Sequence, residues 1–134
     1  MRVKLSNLKR MCSFSECEEF KYGGTKDAPT INGKFIIVGA TIRFEIYYHG
    51  NNIVTHYPNG LTTVDSCGWL TANTASLMYW FMPEDCEARY RFNYSKISLY
   101  RSKENERIEI WRDNKLVDEL TYNNSGPCFI DPKV

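Results

Sequence analysis

The sequence predicts an α+β fold, mostly β: a twisted antiparallel sheet of about six strands with one short helix packed on it. Two stretches of alternating side chains, 34–65 and 89–120, and one helical pattern between them carry that expectation. A length of 134 residues, 43% hydrophobic and 25% charged, fits one domain with a real core and excludes a wholly disordered chain. Residues 1–134 are read as a single domain, with 1–33 a less regular N-terminal segment and 34–134 the sheet and helix.

In the N-terminal segment, Leu5, Leu8, Met11 and Cys12 fall at helical spacing. Ser13 and Ser15, followed by Glu16, Glu18 and Glu19, suit the start of a second short helix. Residues 22–29, dense in Gly, Asp and Pro, are loop chemistry. Phe35 to Val38 is an apolar, largely β-branched run closed by Gly39. From Thr41 to His49 the pattern alternates: Ile42, Phe44, Ile46 and Tyr48 face one way, Arg43, Glu45 and Tyr47 the other. Gly50-Asn51-Asn52 is placed as the hairpin turn, Ile53 to Tyr57 as the return strand, Pro58-Asn59-Gly60 as the next turn and Leu61 to Asp65 as a third strand.

The helix is expected over Thr74 to Phe81, capped by Thr71 or Asn73, ended by Pro83, and held by burying Leu77, Met78 and Phe81. Beyond it, Tyr90, Phe92 and Tyr94 alternate with Arg89, Arg91 and Asn93, and the apolar parity then moves to Ile97 and Leu99, as a β-bulge would produce. Arg107 to Arg112 and Lys115 to Leu120 flank Asp113-Asn114, a tight hairpin. No internal repeat and no low-complexity tract is read along the chain.

Charge narrows the function. Lys plus Arg is 17 and Asp plus Glu is 16, so the net charge is +1, far from the basic balance of a dedicated duplex-DNA binder. No apolar run approaches the roughly 18 residues of a membrane helix, and the N-terminus lacks the apolar core of a secretory signal. The five cysteines include no C-x-x-C pair and are expected as free thiols in a reducing compartment. Cys12 and Cys17 lack the second close ligand pair that a loop zinc site needs, even with His49 or His56, so no metal and no cofactor are expected.

Ile53-Val54-Thr55, then Asn59-Gly60, then Ser66-Cys67-Gly68-Trp69-Leu70-Thr71-Ala72-Asn73-Thr74 form a patterned sequence. The region from Thr41 to Phe81 resembles a family of small tailed-bacteriophage proteins with a G-W-x-T-x-x-T segment after a β-meander. Cys67 stands where that family tends to have glycine, the helix lacks its basic and asparagine residues, and 89–120 has no counterpart. The resemblance implies a phage or prophage origin and the host bacterial cytoplasm as the compartment; it implies no reaction, since the family has no assigned activity.

Within this motif, Gly68 is expected to allow a tight strand exit, Trp69 to fill the gap between sheet and helix, and Thr71 or Thr74 to cap the helix. Nucleophilic catalysis would need Cys67 or Ser66 beside His49 or His56, with Asp65 to orient the base. A Cys67–His56 pair is conceivable, but a cysteine at a strand end reads first as a small buried hydrophobe. The Glu18-Glu19 and Glu84-Asp85 carboxylates read as solvated charges. Partner-contact candidates are Arg89, Arg91, Arg101, Arg107, Trp111 and Arg112, because an outward Trp among arginines is hot-spot composition. The expected function is non-enzymatic: binding and inhibiting a host macromolecule, with a host protein as the expected partner and a defence protein such as a CRISPR effector as one candidate. The alternatives are single-stranded nucleic-acid binding through the arginine and aromatic strands, and small-molecule binding or hydrolysis near Trp69 and Cys67. Oligomeric state is left open.

Overall fold

The computed structural model describes residues 5–24, 30–92 and 105–133. The chain is α+β and mostly β. Its strands are β1 (Phe20–Tyr22), β2 (Ile31–Val38), β3 (Thr41–Tyr48), β4 (Asn51–His56), β5 (Thr62–Val64), β6 (Cys86–Phe92), β7 (Glu106–Arg112), β8 (Lys115–Leu120) and β9 (Cys128–Ile130), with helix α1 (Ala72–Phe81) between β5 and β6. The described strands number nine, divided between a six-stranded sheet in the order β1-β2-β3-β4-β5-β9 and a three-stranded sheet β6-β7-β8. All their pairings are antiparallel. The extra strands are short ones, β1 and β9, whose three residues are too few to show alternation. Arg101 and the expected bulge between Tyr94 and Ile97 lie outside the described residues.

The core forms where the inner faces of both sheets meet α1. Phe44 and Ile46 from β3, Ile108 and Ile110 from β7, and Met78 and Phe81 from α1 are all fully buried in one cluster. Alternation along β3 and β7 dictates this, since each strand has one apolar set to bury. Thr71 caps α1: its hydroxyl accepts from the Thr74 N–H at 3.2 Å.

The N-terminal segment is not helical beyond two single 3-10 turns, Leu5–Asn7 and Phe14–Glu16. Its carbonyls are spent on tertiary partners instead. Leu8 O accepts from the Trp80 indole at 3.2 Å, and Met11 O lies 2.9 Å from His56 Nε2. Leu8, Met11, Cys12 and Cys17 are thereby buried, so the apolar spacing reflects a strap across the core rather than a helix face.

The two meanders, β2-β3-β4 and β6-β7-β8, are one structural unit used twice, which corrects the reading of no internal repeat. Shift β3-β4 by 64 positions (43 to 107) and every pairing recurs. Phe44–His56, Glu45–Thr55, Ile46–Val54 and Tyr47–Asn52 become Ile108–Leu120, Glu109–Glu119, Ile110–Asp118 and Trp111–Leu116. Both ladders break register at the same place, leaving Ile53 and Val117 as the bulged residues. Both turns are two residues at positive φ: His49 and Gly50 at 51° and 76°, Asp113 and Asn114 at 51° and 63°. This is the type I′ geometry that a right-twisted hairpin favours, and it moves the first turn one residue ahead of the expected Gly50-Asn51-Asn52. The signal in sequence is Arg-x-Glu-Ile-aromatic, at Arg43 to Tyr47 and at Arg107 to Trp111. Too few other residues match, and the connections before β3 and β7 differ in length, so the pattern escapes inspection.

His56 supplies a pH test of this packing. Burial pushes its pKa below the usual value, only partly offset by bonding to the backbone of Met11 and Phe81. The folded state therefore holds a neutral ring, while the unfolded chain takes up a proton near pH 6.5. Stability is expected to be flat above that pH with respect to this group, and to fall as pH drops below it. Urea midpoints at pH 7.5 and 5.5 check this, and the difference should shrink in His56→Gln.

Candidate functional site

Alternation pins one carboxylate outward in each meander. Glu45 sits between Phe44 and Ile46, and Glu109 between Ile108 and Ile110, four neighbours with no exposed surface. Both carboxylates are nonetheless buried, at 9% and 7% exposed, beneath their own donors. Glu109 accepts from Arg107 Nη2 at 3.0 Å, Arg91 Nε at 3.1 Å and Trp111 Nε1 at 3.2 Å. Glu45 accepts from Arg43 Nε and Asn52 Nδ2, each at 3.1 Å, and from the Tyr47 hydroxyl. In both, the donors two residues before and after the glutamate are an arginine and an aromatic. A cation on the preceding strand covers each aromatic: Lys34 Nζ lies 5.1 Å from the Tyr47 ring centre, and Arg89 Cζ lies 4.2 Å from that of Trp111.

Around the glutamate, the third donor differs by one paired exchange. Where the first has Asn52, which donates to Glu45, the second has Leu116, which cannot. Glu109 instead draws its third donor from Arg91, whose counterpart in the first meander is Ile36, by a shift of 55 along the preceding strand (36 to 91). The exchange frees the Leu116 position to be apolar. Leu116, directly opposite Trp111, is 46% exposed, and the bulged Val117 is 54% exposed.

The structure thus gathers four of the six expected contact residues, Arg89, Arg91, Arg107 and Trp111, on the outer face of the small sheet. Arg112 points to the other face, where it bonds Asp85 Oδ2 at 2.7 Å and Asp131 O at 2.6 Å, a clamp on the C-terminal stretch. Leu116 and Val117 were missed because the bulge shifts their parity. The arginines are not free charges: Arg89 pairs with Glu87, Arg91 with Glu109, and Arg107 with Glu109 and Glu119. Burial raises the Glu109 pKa, but the bonds from Trp111, Arg107 and Arg91 and the Arg107 charge outweigh it and hold the carboxyl below its usual range.

The G-W-x-T-x-x-T segment corrects one expectation. Trp69 is not buried; it is 56% exposed. Cys67 and Gly68 are both left-handed, at φ 52° and 84°, and Trp69 N–H returns to Ser66 O at 2.8 Å. That tight turn throws Trp69 outward and leaves Leu70, only 4% exposed, as the residue that joins the core. Gly68 does make the tight exit. Cys67 occupies a backbone conformation that glycine adopts without strain, which is why glycine suits this position.

Cys67 and His56 do not meet. Both His56 nitrogens are taken, by Thr62 Oγ1 and Met11 O, and the Cys67 thiol donates to Asn52 O at 3.4 Å. Burial, then Asp65, pushes the Cys67 thiol up to about 11, so it carries little thiolate at neutral pH. All five cysteines are free thiols. Among the described residues no cluster of His, Cys, Asp or Glu could hold a metal ion, and no helix is long and apolar enough to cross a membrane.

No family model matches this chain, and comparison with curated proteins and with solved structures finds no similar one.

Two outcomes follow from the geometry. Trp69→Ala is expected to cost less than about 1 kcal/mol, as a largely exposed side chain does, whereas Leu70→Ala costs about 2–5 kcal/mol; thermal melts of the pair check this. Glu109 is the acid-side counterpart: its depressed pKa gives stability that is present above the unfolded value near 4.3 and lost as pH falls through the folded one. Glu109→Gln should lower stability at pH 7 by about 1–3 kcal/mol and flatten the acid limb of a urea-midpoint profile.

Proposed function

We propose that the protein is a non-enzymatic, phage-type binding protein that engages and inhibits a host protein through the outer face of the small sheet. The observation that carries this reading is the Trp111–Leu116 pair. Trp111 is held between the Arg89 guanidinium and the Glu109 carboxylate, and Leu116 stands exposed beside it. An apolar centre with an oriented aromatic, rimmed by Arg89, Arg91, Arg107, Glu87 and Glu119, has the composition of an interface hot spot. Orientation in advance lowers the ordering cost of binding. The resemblance of 41–81 to small phage proteins supports a host target, with a defence protein such as a CRISPR effector as the class.

The same geometry weakens the nucleic-acid reading. Arg89, Arg91 and Arg107 are matched by Glu87, Glu109 and Glu119, so among the described residues the face carries no surplus to exchange for counterions.

The test is capture from bacterial lysate with three forms of the protein. Leu116→Arg changes the exposed centre of the face. Ile37→Arg changes the remote β2–β3 hairpin tip, where Ile37 is 72% exposed. A protein held by the unmodified chain and by Ile37→Arg, and lost by tenfold or more with Leu116→Arg, a change of about 1.4 kcal/mol, supports the reading. Full retention by Leu116→Arg removes this face.

A further inference from the structure

The duplicated meander shows what a fourth strand does on its outer edge. In the first unit β5 pairs with β4: Val54–Val64, Thr55–Thr63 and His56–Thr62. The bulge does not prevent it, because pairing begins beyond Ile53, whose carbonyl is taken by Asp65 N–H at 2.9 Å. Ile53 is then 2% exposed. In the second unit β8 is the edge of the described three-stranded sheet. The residues equivalent to Val54, Thr55 and His56 are Asp118, Glu119 and Leu120, and the bulged Val117 is open. The strand that follows β8, β9, pairs with β5, and among the described residues this edge meets only its own turn, where Thr121 and Asn124 exchange backbone bonds at 2.9 and 3.2 Å. The Glu119 N–H is met by the adjacent Asp118 carboxylate at 2.8 Å, a local side chain standing in for a strand partner.

We propose that the outer edge of β8 is a docking site for an extended segment of another protein. The segment adds as a fourth antiparallel strand and places a Lys or Arg opposite Glu119. The first meander supplies the template for direction and register. Main-chain bonding gives such an addition its affinity, and facing side chains give its specificity. Charge chooses the occupant. Among the described residues Glu119 shares only Arg107, at 3.7 Å, while Glu109 holds that guanidinium at 3.0 Å, so within this set Glu119 keeps capacity for a second cation. A second copy of this chain, pairing β8 with β8 in the same register, would set Glu119 against Glu119, and like charges directly opposite each other are destabilising. This edge adjoins the Trp111 face and shares Glu119 with its rim, but it is read through main-chain pairing and goes beyond the reading above.

The experiment uses the whole folded protein, labelled for backbone amide spectra, and two synthetic peptides of the Leu61 to Asp65 stretch, one with Thr63→Lys and one with Thr63→Glu. The lysine peptide is expected to shift the amides of 116–120 in a saturable way and to bind about five- to tenfold more tightly than the glutamate peptide. In Glu119→Lys protein the order should reverse. Equal binding of the two peptides, shifts confined to other strands, or no shift at millimolar peptide overturns the proposal. So do concentration-dependent shifts of the same amides in the free protein, which assign the edge to a second copy. The Leu116→Arg capture assay reads the face and this titration reads the edge, so either result can fail alone.

Discussion

Each meander is organised around a carboxylate that alternation forces outward and that its own neighbours then cover. Phe44 and Ile46, or Ile108 and Ile110, must be buried, so Glu45 and Glu109 are fixed on the opposite face. An ionised carboxylate removed from water is costly unless its lone pairs are filled. The arginine two positions before and the aromatic two positions after each glutamate lie on the same face and fill them. The cation over the aromatic completes a layer on the outside of each sheet. The inner core and this outer polar layer therefore hold the central strand from both sides.

Because the layer is closed, change in one member demands change in another. The exchange of Asn52 for Leu116 removes a donor, and Arg91 in place of Ile36 restores it. The second unit keeps its buried carboxylate satisfied while acquiring an apolar outward residue. The face proposed for binding thus rests on this exchange, and the covered carboxylate beside it is what the two units share. Tyr47, whose hydroxyl is bound to Glu45, has its pKa raised to about 12 by burial and by that carboxylate, so the first unit's layer stays a hydrogen-bonded phenol at any physiological pH.

Much of the fold is legible in the sequence because strand alternation has a short period and leaves a clear trace. The strands around Phe44 and Ile108, the Asp113-Asn114 hairpin and the Thr71-capped helix all follow from local pattern. Trp69 was misread because size suggests burial, while the two left-handed residues before it decide direction, and Cys67 gives no sign of that conformation. The N-terminal strap has helical spacing, but Trp80 and His56 compete successfully for its carbonyls. The site is half legible: Arg89, Arg91, Arg107 and Trp111 share a face by parity, whereas Leu116 and Val117 depend on a bulge, and Arg112 is drawn away by Asp85.

One strand pairing has a different character from the rest. Among the described strands, six of the seven ladders join strands that follow one another in the chain, and only β5 with β9 joins distant ones, Thr62 to Ile130 and Val64 to Cys128. Local hairpins close quickly, whereas a long loop must lose its entropy before its contacts repay it. On loop-closure grounds the short β5–β9 ladder, reinforced by Ser66 N–H to Ser125 O at 2.8 Å, is expected to form after the local hairpins. Mutations in that ladder should act on unfolding rate more than on folding rate, since contacts formed after the barrier are felt mainly on the way out.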